Sequence, residues 1–323
     1  MSSLSFILRL SRIRTAFRFV SWRRFVLLAG LTTSALWMWP SCADSQSADG
    51  EELNFYTSGH PYLEMPFEQL VEHIPELRTV RPAPSQQALT AVLKKTGARV
   101  DEFFRDVTNL AAHEEVKQER LSKKHRVQAQ DFQYNYLIVV HRDEQPPRFE
   151  EFRANAEGKP VTQRGAARKY SITFGFALKC IYFSTAHQPE STFVYLGDGK
   201  IGERNTYVVA FAQRPGHTTI AESVSGSWGA DSVFVQGIAW VDQDSFQIIR
   251  LRTDLLGPPA DVGLTRQTTE VTFDEVRLPD VEEALWLPKS VDVYAVFNGQ
   301  AFRNEHRYSD YERYRVSVRM NVP

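Results

Sequence analysis

The chain has 323 residues, 42% hydrophobic and 12% aromatic, with 38 Lys+Arg against 39 Asp+Glu. That composition excludes a disordered polyampholyte, a collagen-like repeat and a disulfide-stapled miniature domain. Residues 1–43 hold six Arg and no acid, which leaves 32 basic and 39 acidic residues over 44–323, a net charge of −7; a surface of that sign disfavours nucleic acid as a partner.

Residues 1–43 read as an export signal. The Arg-rich stretch ends at Arg23-Arg24, Phe25–Trp39 is an uncharged run of 15 residues, and Ser41-Cys42-Ala43 supplies small residues for cleavage before Asp44. A permanent span needs about 20 apolar residues, so an anchor is the weaker reading. Cys42 is expected to leave with the signal. The alternative is lipidation of Cys42, for which Trp39 stands where a Leu is expected. The mature product is then exported, periplasmic or extracellular, and touches a membrane only through the signal or a lipidated Cys42. Cys180, in the apolar run Phe174–Phe183, reads as a small core residue.

A polar leader covers 44–63, and one domain covers 64–323. A first helix is expected over 66–74, opened by Pro66 and closed by Pro75. A longer one is expected over 85–109, with Ser85 as N-cap and Leu89, Val92, Leu93, Val100, Phe103, Phe104 and Val107 on one stripe. Gly97 is its weak point.

From Ala111 the period changes to two, with strands expected near 111–121, 131–142, 147–154, 170–183, 191–196, 204–213, 233–241, 245–254, 266–276, 285–297 and 300–318. Turn signals separate them at Asp198-Gly199, Asp242-Gln243-Asp244, Gly257-Pro258-Pro259 and Asn298-Gly299. Consecutive hairpins imply an antiparallel meander. The fold class is α+β: N-terminal helices packed on one face of a large curved antiparallel sheet, the other face meeting water.

No motif carries catalytic chemistry. Gly197–Gly202 matches G-x-G-x-x-G but precedes a strand where a helix is required, so it reads as a hairpin turn. Ser225-Gly226-Ser227-Trp228-Gly229 lacks the first Gly of a nucleophile elbow. The stretch 215–231 reads as a long loop carrying an exposed Trp228. The eight His have no ligand spacing, so neither metal nor cofactor is expected. Asp242-x-Asp244 reads as a turn, and Asn304–Tyr311 as an exposed strand with charges paired across the ladder.

Met65–Pro82, Lys95–Leu121, Gly237–Leu256, Glu270–Leu278 and Leu285–Tyr311 resemble a family of bacterial secreted proteins over about residues 64–316. The Trp240-Val241-Asp242 turn and the later Leu287-Pro288-Lys289 strand are also similar to the LolA-like and RseB-like half-barrels of outer-membrane lipoprotein sorting. That resemblance implies a curved sheet wrapped around helices, with acyl chains or lipoprotein-derived ligands on its concave face. The expected function is a non-catalytic envelope protein holding a lipid or other hydrophobic ligand between sheet and helix. Phe103, Phe104, Trp228 and Trp240 are its candidate contacts, and a lipoprotein is its candidate partner. The alternative is a structural or protein-interaction module without a small-molecule ligand.

Overall fold

A computed structural model describes residues 5–7, 61–121, 128–142, 147–155, 158, 161, 175–214, 216–220, 222–226, 229–257, 263–279 and 281–313. Almost all of the expected signal, the leader through residue 60, Pro258-Pro259 and Trp228 lie outside the described residues. Among the described residues no helix is long and apolar enough to cross a membrane.

Among the described residues three α-helices occur: α1 (Pro61–Glu64), α2 (Phe67–His73) and α3 (Leu89–Asp106). The strands are β1 (Ser5–Ile7), β2 (Arg81–Pro82), β3 (Leu110–Leu121), β4 (Gln128–His141), β5 (Arg148–Ala154), β6 (Ser191–Ile201) and β7 (Arg204–Gln213). They continue as β8 (Glu222–Gly226), β9 (Gly229–Asp242), β10 (Ile248–Leu256), β11 (Leu264–Val276), β12 (Leu285–Phe297) and β13 (Gln300–Arg313). Every pairing is antiparallel, in the order β2-β6-β7-β9-β10-β11-β12-β13-β3-β4-β5, with β8 beside the start of β9 and β1 beside β8. The meander expected from the hairpins is present. The pairing of β13 with β3, Tyr308 opposite Glu114, joins the chain's last strand to its first long one.

The sheet is strongly curved. Eight strand spacings separate β7 from β5, roughly 38 Å on a flat sheet at about 4.8 Å each. Yet one 3-10 segment, Ala177–Phe183, reaches both of these strands: the Leu178 N–H donates to Glu151 of β5 at 3.1 Å, and the Tyr182 ring stacks 5.5 Å from Phe211 of β7. Seven residues of 3-10 helix span only roughly 14 Å.

Both faces are covered at the β6–β10 end. On the inner face α3 buries Val92, Val100 and Phe103 with Val209, Phe211, Ala239 and Leu251, at about 1.5–3 kcal/mol for each large side chain. On the outer face α1, α2 and the turn Pro75–Thr79 bury Tyr62, Leu70, Ile74 and Leu77 against Leu196, Val208, Ile238 and Trp240. This corrects the expectation that the helices share one face. The apolar phases of β7 and β9 are both occupied, so water meets neither side there. Tyr62 of α1 is 1% exposed, so α1 packs into this outer core.

Other expectations are also revised. Of the strand expected over 170–183, Ala177–Phe183 is instead a 3-10 segment with every residue buried, and 170–174 lies outside the described residues. The loop expected over 215–231 contains β8 and the start of β9. The hairpin after β6 turns at Gly202, while Asp198-Gly199 sits inside β6 beyond a bulge. Asn298 and Gly299 do form the β12–β13 turn, at φ +48° and +71°.

Ser85 does not cap α3, which has Ala88 at that position. The Gln86 amide instead bonds the Tyr195 backbone N–H and C=O at 2.7 and 2.9 Å, tying the helix entry to β6. Gly97 does not split α3: a Cβ there would meet Gln188 Nε2 at 2.5 Å and the Phe183 carbonyl at 3.2 Å, so the glycine admits the neighbouring chain.

Candidate functional site

The surface under α3 is where a ligand held between helix and sheet would sit. α3 ends in the Phe103–Phe104 pair, ring centroids 5.3 Å apart at 76°, and Phe104 meets Phe149 of β5 edge-on at 5.2 Å. Beneath them lies the chain itself. Phe176–Phe183 fills the space between helix and sheet, Phe183 packing on Phe193 at 5.3 Å and Phe211 at 5.4 Å.

Polar contacts fasten this segment at both ends. The Glu151 carboxylate accepts from the Phe176 and Leu178 N–H groups at 3.0 and 3.1 Å and from the Tyr136 hydroxyl. Three donors converge on it in place of water; burial still raises this carboxyl above its ordinary 4.5. At the other end Lys179 pairs with Glu222, which also accepts from the Tyr182 hydroxyl at 2.9 Å. Lys179 and Glu222 are both almost fully buried, and such a pair survives only when its hydrogen bonds are made. Cys180 is buried among them, and burial pushes its thiol up to about 12, which removes nucleophilic character near neutral pH.

Next to this segment the sheet buries a second polar group. Glu114 of β3 accepts from Arg153 of β5 at 2.5 Å, from the Tyr308 hydroxyl at 2.7 Å and from His306 at 2.9 Å. The side chains of Glu114, Arg153 and His306 are 0% exposed, and the Phe176 ring covers His306 at 5.0 Å. Burial pushes the Glu114 carboxyl upward, but the Arg153 charge beside it and the bonds from His306 and Arg153 outweigh that and hold it at about 2. Burial lowers His306 below 6.5. It is therefore neutral at pH 7, and its Nδ1 proton goes to the carboxylate, the stronger acceptor. The group is internally satisfied and presents no exposed acid, base or nucleophile to a substrate.

The sequence-derived candidates do not form one site. Phe103 and Phe104 sit over the inner face, whereas Trp240 lies on the outer face among Leu70, Ile74 and Leu77, because successive residues of β9 alternate sides. Trp228 lies outside the described residues. Sequence reasoning missed Glu114, Arg153, His306, Tyr308 and the Glu151 and Lys179–Glu222 contacts. One signal was available: Leu110, Ala112, Glu114, Val116 and Gln118 share the buried phase of β3, so Glu114 stands where an apolar residue belongs. The expectation of an exposed charge-paired strand at Asn304–Tyr311 is half met. Arg303, just before it, pairs across the ladder with Asp292 of β12 at 3.0 Å, while Asn304, His306 and Tyr308 face inward and are buried.

No family model matches the chain, and no curated protein matches it. Among solved structures it is similar to a DUF1329 family protein from Desulfovibrio piger, at 12% identity and TM-score 0.36 over 72% of this chain and 95% of that one. A LolA superfamily protein from Nitrosomonas europaea matches at 12% identity and TM-score 0.33, over 73% and 96%. A protein described as an outer membrane lipoprotein-sorting domain, from Vibrio parahaemolyticus, matches at 11% identity and TM-score 0.31, over 71% and 96%.

Proposed function

We propose that the protein is an exported, non-catalytic binding protein of the cell envelope that takes a hydrophobic ligand on the inner face of its sheet. The observation carrying this is the character of Phe176–Phe183. It is an apolar 3-10 segment outside every β-ladder, fastened between α3 and the sheet by contacts to Glu151 and Glu222, so it occupies the inner face without being part of the wall. A ligand enters by taking its place against Phe193, Phe211 and Phe103. Phe103 and Phe104 flank the entrance. The buried, mutually satisfied Glu114–Arg153–His306 group supports a non-catalytic role.

The test is saturable binding of cis-parinaric acid, a fluorescent acyl probe, to the purified full-length protein, alongside mass spectrometry of co-purified lipid. The double variant Lys179→Met/Glu222→Leu exchanges a buried ion pair for apolar groups of similar size, a change that is often neutral for stability. It is expected to bind the probe several-fold more tightly, since the segment is less firmly fastened. Absence of both co-purified lipid and parinarate binding, in wild type and variant alike, overturns the reading. The completeness of the packing beneath α3 favours a second one, a protein-interaction module with no small-molecule ligand, and that result would select it.

A further inference from the structure

A separate groove of about 700 Å³ opens where the chain enters α3, between that entry and the outer ends of β6 and β7. It falls in the size range of small-molecule sites, but its lining is polar. Arg81, Tyr195, Asp198, Asn205, Tyr207 and Gln243 contribute most of it. Among the described residues the only charged side chains lining it are Arg81 and Asp198, and these pair with each other at 2.9 Å.

The lining is held in position before any ligand arrives. Asp198 accepts from Arg81, from the Tyr195 hydroxyl at 2.7 Å and from Gln243 Nε2 at 2.7 Å. A carboxylate has about four acceptor positions, so one remains for a ligand hydroxyl, and the side chain keeps 34% exposure through which to offer it. The Gln243 amide, oriented by Asp198, keeps its carbonyl oxygen for a donor. The Tyr207 ring stacks on Phe246 at 5.9 Å and 23°, and Lys95 Nζ lies 4.3 Å above the Phe246 ring. Phe246 takes φ +59°, an outlier for a bulky residue. The turn that imposes this is fastened by Asp242, which accepts from the Asp244 and Ser245 N–H groups at 3.2 and 2.8 Å. Strain of this kind persists only where surrounding contacts over-determine it, and it concentrates at binding sites.

These features select one ligand chemistry. An acyl chain would strip water from amide, hydroxyl and carboxylate groups and return no hydrogen bonds. An anion would find the Arg81 charge already neutralised, and a cation would find Asp198 surrounded by donors. A pyranose chain meets both halves of the lining: hydroxyls for the planar Asp, Asn and Gln groups, and a C–H face for the half-buried Tyr207 ring. We propose that the Arg81–Tyr207 groove binds a neutral oligosaccharide, independently of any ligand on the inner face of the sheet.

The experiment is saturation-transfer NMR and calorimetric titration of the full-length protein with chitotetraose, cellotetraose and maltotetraose, with tetra-alanine as the peptide arm. At least one sugar is expected to bind, with saturation strongest at ring C–H protons. Tyr207→Ala should weaken it at least tenfold, and Gln243→Ala, a half-buried position on the turn, several-fold without lowering Tm. Gln243→Ala keeps the test decisive if Tyr207→Ala fails to fold. The proposal is overturned if none of the three sugars binds, if Gln243→Ala binds as well as wild type, or if tetra-alanine binds more tightly than every sugar.

Discussion

Glu114 and His306 occupy positions where a strand normally places leucine or valine, and they make the interior pH-sensitive. His306 has its folded pKa depressed below 6.5 by burial. As pH falls through 6.5 the unfolded chain takes a proton that the folded protein refuses, so stability present above that pH is lost. Glu114, held at about 2 in the folded protein, adds a second loss beginning near its ordinary 4.5 and continuing toward 2. Urea midpoints measured from pH 8 to pH 2.5 should therefore fall in two stages on acidification. In His306→Gln the upper stage, between pH 6.5 and 5, should flatten while the lower one stays; an unchanged upper slope would show that His306 is not held neutral. This group escapes sequence reading because its three strands are far apart in the chain. Glu114 and His306 are 192 residues apart, and only the β13–β3 pairing makes them neighbours.

At the scale of elements, α3 depends on the segment packed against it as much as on its own periodicity. Its stripe is legible in the sequence, and Val92, Val100 and Phe103 are buried as that stripe requires. The role of Gly97 is not legible, because a glycine's reason lies in what approaches it. The Gln188 amide passes that point to donate to the Leu93 and Phe183 carbonyls at 2.8 Å each. Gly97→Leu would place a branched side chain there and expel the amide, an overpacking expected to cost about 1–3 kcal/mol. Urea unfolding reads this directly; a variant as stable as wild type would mean that the segment is loosely seated. The 3-10 run Ala177–Phe183 is the element that sequence pattern misassigned. Its residues are apolar except for Lys179, and a fully buried run has no exposed phase from which to read a period.

For the whole molecule, the N-terminal arm is part of the domain. Leu77 is fully buried against the outer face of the sheet, so Leu77→Ala should cost about 2–5 kcal/mol. The variant should still unfold in one transition, by far-UV circular dichroism and tryptophan fluorescence alike. An early, separate transition would instead make α1, α2 and the following turn an appendage. The same arm moves Trp240 out of the inner-face site: two covered faces force alternate residues of β9 to serve different cores.

The sequence by itself determined what depends on neighbours in the chain: the helix stripe, most strand positions, the Asn298-Gly299 turn and the charge contrast between residues 1–43 and the rest. These follow from periods of 3.6 and 2 and from backbone freedom at single residues. Only the tertiary structure decided which face each helix covers, what fills the space beneath α3, and which polar side chains meet inside. Those outcomes turn on sheet curvature and on pairings between distant segments, where the energy lies in contacts that no local window of sequence contains.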